Sequence, residues 1–178
     1  MKNKNCQRLL IVVNEPAFFF SHRLPVALAA KNAGWEVHVA TGPGDRTDSM
    51  QLHGLTHHSL PLTRSGLSPK DELCAFVAIW PLFRRLKPEV IHLVTAKPVL
   101  YGGLTARLSR APAVAFAISG LGFFVETGSA RSRFVRKIGR WLYRRAFGHR
   151  QARVIVQHLE DQKGLEAIGA LRPGQARL

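Results

Sequence analysis

The chain has 178 residues, 46% of them hydrophobic and 21% charged, enough for one well-buried core and at most a little more than one domain. Its 15 glycines and 10 prolines follow no period, which excludes collagen-like and low-complexity chains. Lys plus Arg outnumber Asp plus Glu by 26 to 11, a formal charge of +15 that points to an anionic partner, and two cysteines, Cys6 and Cys74, exclude a disulfide framework and fit a reducing compartment.

The cationic start at Lys2, Lys4 and Arg8 leads only into Leu9 to Val13 before Asn14 and Glu15, so no export signal is expected. Arg8 to Asn14 and Trp35 to Thr41 read as buried strands. Between them Ser21 is placed to cap a helix that tolerates Pro25 in its first turn and ends at Gly34. Thr56 to Leu60 predicts a weak strand, and Ser68-Pro69-Lys70-Asp71 opens a helix whose Leu73, Phe76, Val77 and Trp80 keep helical spacing. Pro81 predicts a break or bend there, since it cannot donate to the Val77 carbonyl.

Farther on, Glu89 to Thr95 is a strand, Pro98 to Ser109 a helix, Ala113 to Ser119 a strand, Arg131 to Gly148 a helix and Arg153 to Gln157 a strand. Leu73 to Phe83 and Ala111 to Val125, the longest nearly apolar stretches, are too short to span a bilayer. Continuous apolar strands alternating with helices predict an α/β domain, a doubly wound, mostly parallel Rossmann-like sheet of about six strands.

Ligands of such sheets bind beyond the carboxyl ends of the strands, which selects Asn14-Glu15, Thr41-Gly42, Thr95 to Lys97, Ser119 to Gly122 and Gln157-His158. Gly120 and Gly122 let backbone amides approach a phosphate or a sugar, although the turn is equally an ordinary strand-to-helix connection. Val125 stands where GxGxxG needs its third glycine, and neither GxxxxGK[ST] nor GxSxG occurs, which disfavours dinucleotide dehydrogenases, P-loop enzymes and α/β-hydrolases. Lys97, just before Pro98, outlines an anion site at a helix start, and His22 with Arg23 opens the first helix at the same edge; each is also common as a solvated surface group. His53, His57 and His58 have no cysteine or carboxylate nearby in sequence, and alternation sends His57 and His58 to opposite faces, so no metal is expected.

Twelve Lys or Arg and one acid, Glu126, lie between Val90 and Leu159. On a helical wheel Phe134, Val135, Ile138, Trp141, Leu142 and Ala146 share a stripe, opposite Arg133, Arg136, Lys137, Arg140 and Arg144. Tyr143 and Phe147 fall on or beside the basic face, a composition suited to the headgroups of an anionic membrane as well as to plain solvation.

Several segments together resemble the amino-terminal half of a bacterial glycosyltransferase of family 4, the retaining GT-B type: IVVNEPAFFFSHRLPVALAAKNAGWEVHVATGPGD, LPLTRSGLSP, VIHLVTAKPVLYGGLTARLS, ISGLGF and VIVQ. The resemblance implies that residues 1–178 form one Rossmann-like domain that holds the acceptor, while a carboxyl-terminal domain, absent from this sequence, holds a nucleotide-sugar as donor substrate with no further cofactor. It implies a site formed by Asn14, His22, Arg23, Lys97 and Ser119. Many relatives carry a histidine where Ser119 stands, which leaves the amides of Gly120 and Gly122 as the better donors. The acceptor implied is a polyprenyl-diphosphate-linked sugar of surface polysaccharide synthesis, with the basic helix on anionic lipids of the cytoplasmic leaflet. Turnover is then expected only with a separate carboxyl-terminal domain. The competing class is a non-enzymatic basic domain for nucleic acid or a separately encoded partner, but no nucleic-acid reading module is recognisable, so none is expected to bind.

Overall fold

The computed structural model describes residues 7–63, 68–118 and 130–177. Seven parallel strands form one sheet in the order β3-β2-β1-β4-β5-β6-β7, one more than the sequence predicts. They are β1 (Arg8–Val13), β2 (Glu36–Thr41), β3 (Thr56–Ser59), β4 (Val90–Val94), β5 (Ala113–Ile118), β6 (Ala152–Val156) and β7 (Ala176–Arg177). The helices are α1 (Pro16–His22), α2 (Leu24–Asn32), α3 (Thr47–Leu52), α4 (Pro69–Leu86), α5 (Gly103–Ser109), α6 (Ala130–Phe147) and α7 (Leu159–Ala167). A single π turn, Pro98–Gly102, leads into α5.

Each strand face carries its own core. Leu9, Ile11 and Val13 join Val37, Val39, Phe19, Ala27 and Met50 under α1 to α3. Leu10 and Val12 point the other way, to the cluster of Ile79, Phe83, Phe116 and Phe147 under α4 to α7. Burial on both faces is why these strands read as unbroken apolar runs rather than as alternating ones. The same logic explains Gly103: a Cβ there would lie 2.7 Å from the Ala146 Cβ and 2.9 Å from the Phe116 ring, so only glycine lets α5 settle between β5 and α6.

Three expectations for the helices are corrected. The single helix from Ser21 to Gly34 is two helices, split at Arg23, because Pro25 has no N–H for the Ser21 carbonyl and its ring crowds that turn. Ser21 therefore does not cap; its hydroxyl lies 3.0 Å from the Ala17 carbonyl and 3.2 Å from that of Phe18. Of the break or bend expected at Pro81, the break does not occur, because α4 is one helix through it. Val77 and Pro81 are both on its exposed side, where water can take the bond that proline cannot supply.

The apolar phase of α6 is the third. Tyr143 and Phe147 are 6% and 0% exposed, whereas Ile138 and Trp141 are 43% and 53% exposed. Two apolar stripes compete on this helix, and packing selects the one that sets Phe147 edge-on to Phe116 at 4.8 Å and seats Ala146 on Gly103. Trp141 can remain outside because its ring is covered by the Arg145 guanidinium at 5.3 Å. Tyr143 and Phe147 are thus core residues and not membrane contacts.

Candidate functional site

Strand order reverses between β1 and β4, and the connections leaving their carboxyl ends turn to opposite faces of the sheet, which opens a crevice there. The crevice begins at Asn14. Its backbone N–H donates to Thr95 Oγ1 at 3.3 Å, and its carbonyl accepts from Gly42 N at 2.9 Å. Gly42 is squeezed: a Cβ would lie 2.1 Å from the Leu62 carbonyl oxygen and 2.6 Å from that of Asn14. Thr95 holds φ at 70°, a left-handed conformation costly for a β-branched residue, three positions before the π turn. Two irregular backbone features thus sit together at one strand end.

A cleft of about 400 Å³ lies here, lined by Asn14, Glu15, Ala17, Phe18, Ser21 and Thr95. Asn14 is 9% exposed, and its side-chain Oδ1 is buried without a hydrogen-bond partner among the described residues. A buried acceptor left open costs on the order of 1–3 kcal/mol, a cost that a ligand hydroxyl placed there would remove. Phe18 presents a ring, and His22 stacks on it at 4.3 Å with the planes 13° apart. His22 Nδ1 lies 2.6 Å from Ser21 Oγ, so the imidazole stands on the rim of the cleft.

The other expected site residues lie elsewhere. Arg23 turns toward the sheet, its Nε buried and without a hydrogen-bond partner among the described residues, and burial pushes its pKa down. Its charge adds to burial in holding the His92 imidazole of β4 down to about 4, hence neutral at ordinary pH. Lys97 faces α4: its Nζ donates to Glu72 Oε1 at 2.6 Å and to Thr63 Oγ1 at 3.0 Å, while Tyr101 donates its hydroxyl to Glu72 Oε2. The cation that outlined an anion site is paired with Glu72, and it does not line the cleft with Asn14. Ser119, Gly120 and Gly122 lie outside the described residues, as do the side chains of Arg133 and Arg136.

Glu72 shows in the sequence only as an early acid of its helix, and its meeting with Lys97 across 25 positions has no local signal. Thr95 belongs to the strand-following residues but carries no mark of its left-handed turn. His57 and His58 do part to opposite faces, His57 to Thr41 Oγ1 at 2.9 Å and His58 to His38 at 3.0 Å.

The sequence model of a family described as glycosyl transferase 4-like matches residues 8–153. No curated protein matches the chain significantly. Among solved structures, a glycosyltransferase from Rickettsia africae ESF-5 superimposes with a TM-score of 0.64 at 12% identity, over 97% of this chain and 42% of that one. MurG of Acinetobacter baumannii gives 0.56 at 13% identity, over 96% and 44%. A UDP-GlcNAc 2-epimerase from Methanocaldococcus jannaschii gives 0.61 at 14%, over 97% and 45%. These likenesses establish the fold, and the chain spans less than half the length of each of these solved chains.

Proposed function

The chain belongs to the glycosyl transferase 4-like family, and from that premise we propose that it is the acceptor-side half of a retaining glycosyltransferase that moves a sugar from a nucleotide-sugar to a lipid-linked sugar acceptor in surface polysaccharide synthesis. The family match over residues 8–153 carries the reaction class. The switch-point cleft supports the acceptor role: the open Asn14 Oδ1 and the Glu15 carboxylate accept hydrogen bonds, and the Phe18 ring offers an apolar face, a combination that suits sugar hydroxyls. The departing diphosphate would need cationic and amide donors, which the described lining of this cleft does not supply. In this reading they come from Gly120, Gly122 and a second, donor-binding half.

The layer of α4, α5 and α6 supports a position on an anionic membrane surface. Its exposed residues include Leu73 and Val77 of α4, Leu108 of α5, and Ile138 and Trp141 of α6. Lys137, Arg140 and Arg144 are exposed beside the last two. Apolar side chains among cations match an interface of acyl chains under anionic headgroups. No described helix is long and apolar enough to cross a membrane.

The test mixes the chain with a carboxyl-terminal donor half from the family, nucleotide-sugars and a polyprenyl-diphosphate-linked sugar, and weighs the lipid products by mass spectrometry. Addition of one sugar with both halves, and none with the chain alone, is expected. Transfer by the chain alone overturns the division of labour. A donor epimerised or hydrolysed without transfer overturns the reaction class.

A further inference from the structure

The open edge of the sheet carries a polar seam beneath the end of α4. Arg8 of β1, Glu36 and His38 of β2 and His58 of β3 project to the α4 face, where Arg8 Nη1 also reaches the Leu86 carbonyl at 2.9 Å. Arg8 Nε stands 3.1 Å from Glu36 Oε2, Glu36 Oε1 3.1 Å from His38 Nε2, and His38 Nδ1 3.0 Å from His58 Nε2. The carboxylate approaches His38 off the hydrogen-bond line, yet its charge still favours the proton on Nε2. His38 Nδ1 then accepts, and His58 Nε2 donates. That leaves His58 Nδ1 as a bare lone pair, without a partner among the described residues.

His58 lines a cleft of about 440 Å³ between β3 and α4, together with Ser59, Leu60, Ala78, Leu82 and Arg85. No acid lines it, and the exposed Arg85 has no ion-pair partner among the described residues. We propose that this cleft binds a small oxyanion, a phosphate or carboxylate group, between the Arg85 guanidinium and the His58 imidazole, and that the anion enters together with a proton on His58 Nδ1. The inference is independent of glycosyl transfer.

The charges around His58 explain the coupling. Burial, then His38 of β2, Arg85 of α4 and His57 of its own strand, hold the empty ring's pKa down to about 4. Glu36 acts on His38 from β2 and Asp48 of α3 on His57, both favouring protonation, while Arg8 of β1 opposes it at His38. An anion at Arg85 removes the repulsion from that side and rewards the proton. Because the proton lands on Nδ1, the His58–His38 hydrogen bond is kept. Binding should therefore strengthen as pH falls toward the acid end of the histidine range.

The experiment records long-range proton–nitrogen NMR spectra of the histidines during titration with inorganic phosphate at about pH 7.5 and about pH 5.5, which bracket the ordinary imidazole range. Phosphate should raise the His58 titration midpoint from about 4 to about 6.5 and, by linkage, bind roughly tenfold more tightly at the lower pH. Acetate tests whether a planar carboxylate serves as well. Arg85→Gln, on an exposed helix face, should abolish both effects with an unchanged melting temperature. An unmoved His58 midpoint in phosphate, equal affinity at both pH values, or undiminished binding by Arg85→Gln each overturns the proposal. So does a His58 shift with phosphatidylglycerol vesicles and none with phosphate, which would give the cleft to a lipid headgroup.

Discussion

Glu72 holds Lys97 at 2.6 Å and occupies its own second oxygen with the Tyr101 hydroxyl, so the cation that follows β4 is neutralised before any ligand arrives. The pair is mostly buried, with side chains 14% and 19% exposed. Removing one member of such a pair strands the other. Glu72→Ala should cost about 2 kcal/mol, somewhat below the loss seen for wholly buried pairs. Adding Lys97→Ala should return part of that loss, because the stranded ammonium goes with it. Urea unfolding of the two single variants and the double one measures the coupling; strict additivity would show that the contact contributes nothing.

Asn14 behaves in the opposite way. Its Oδ1 is buried without a partner among the described residues, so Asn14→Ala removes a liability along with the side chain. Stability should stay within about 0.5 kcal/mol of the parent or rise. Transfer to the acceptor in the two-half assay should be lost. A variant that unfolds more easily and still transfers would place the acceptor elsewhere.

Stability should also respond to acid. The buried His92 is held down to about 4 in the folded chain, chiefly by burial and then by Arg23, and unfolding returns it to 6.5. Between those values the unfolded chain binds a proton that the folded chain refuses. The contribution is complete above about pH 6.5 and is lost as pH falls toward 4, on the order of 3 kcal/mol for a shift of this size. The His58 shift has the same sign. Urea midpoints at about pH 7 and about pH 4.5 should fall steeply for the parent and less for His92→Gln; equal slopes would remove His92 as a source.

The two apolar sets of α6 should separate cleanly. Ile138→Ser with Trp141→Ser should leave the melting temperature nearly unchanged and remove the salt-resistant part of co-sedimentation with anionic vesicles. Phe147→Ser, which empties a fully buried site, should instead cost about 3–5 kcal/mol. Vesicle binding that survives the first pair of substitutions argues against this face as the membrane contact.

Strands were the legible part of this sequence because burial on both faces leaves short unbroken apolar runs such as Leu9 to Val13 and Ala113 to Ile118. The short elements left little trace. Helix α3 has six residues and starts from Arg46 at φ 70° without a side-chain cap, α7 carries no clear apolar stripe, and β7 pairs through only two residues. The phase of α4 misled as that of α6 did: Leu73 and Val77 keep helical spacing but face outward, while Ala75, Ile79 and Phe83 meet the sheet. Asn14 could be found because strand order alone brings it to the crevice, whereas the partner of Lys97 is set by tertiary packing.

The placement of β1 has a consequence for how the chain is made. Leu9 pairs with Val90, 81 positions later, so the earliest of the seven strands to be synthesised keeps one edge open until α4 and β4 have been built. Its residues are almost wholly apolar, and an exposed apolar edge is a template for pairing with another chain. Pairing over such a separation is slow to close. The nascent chain therefore passes through an interval in which self-association at the β1 edge competes with folding.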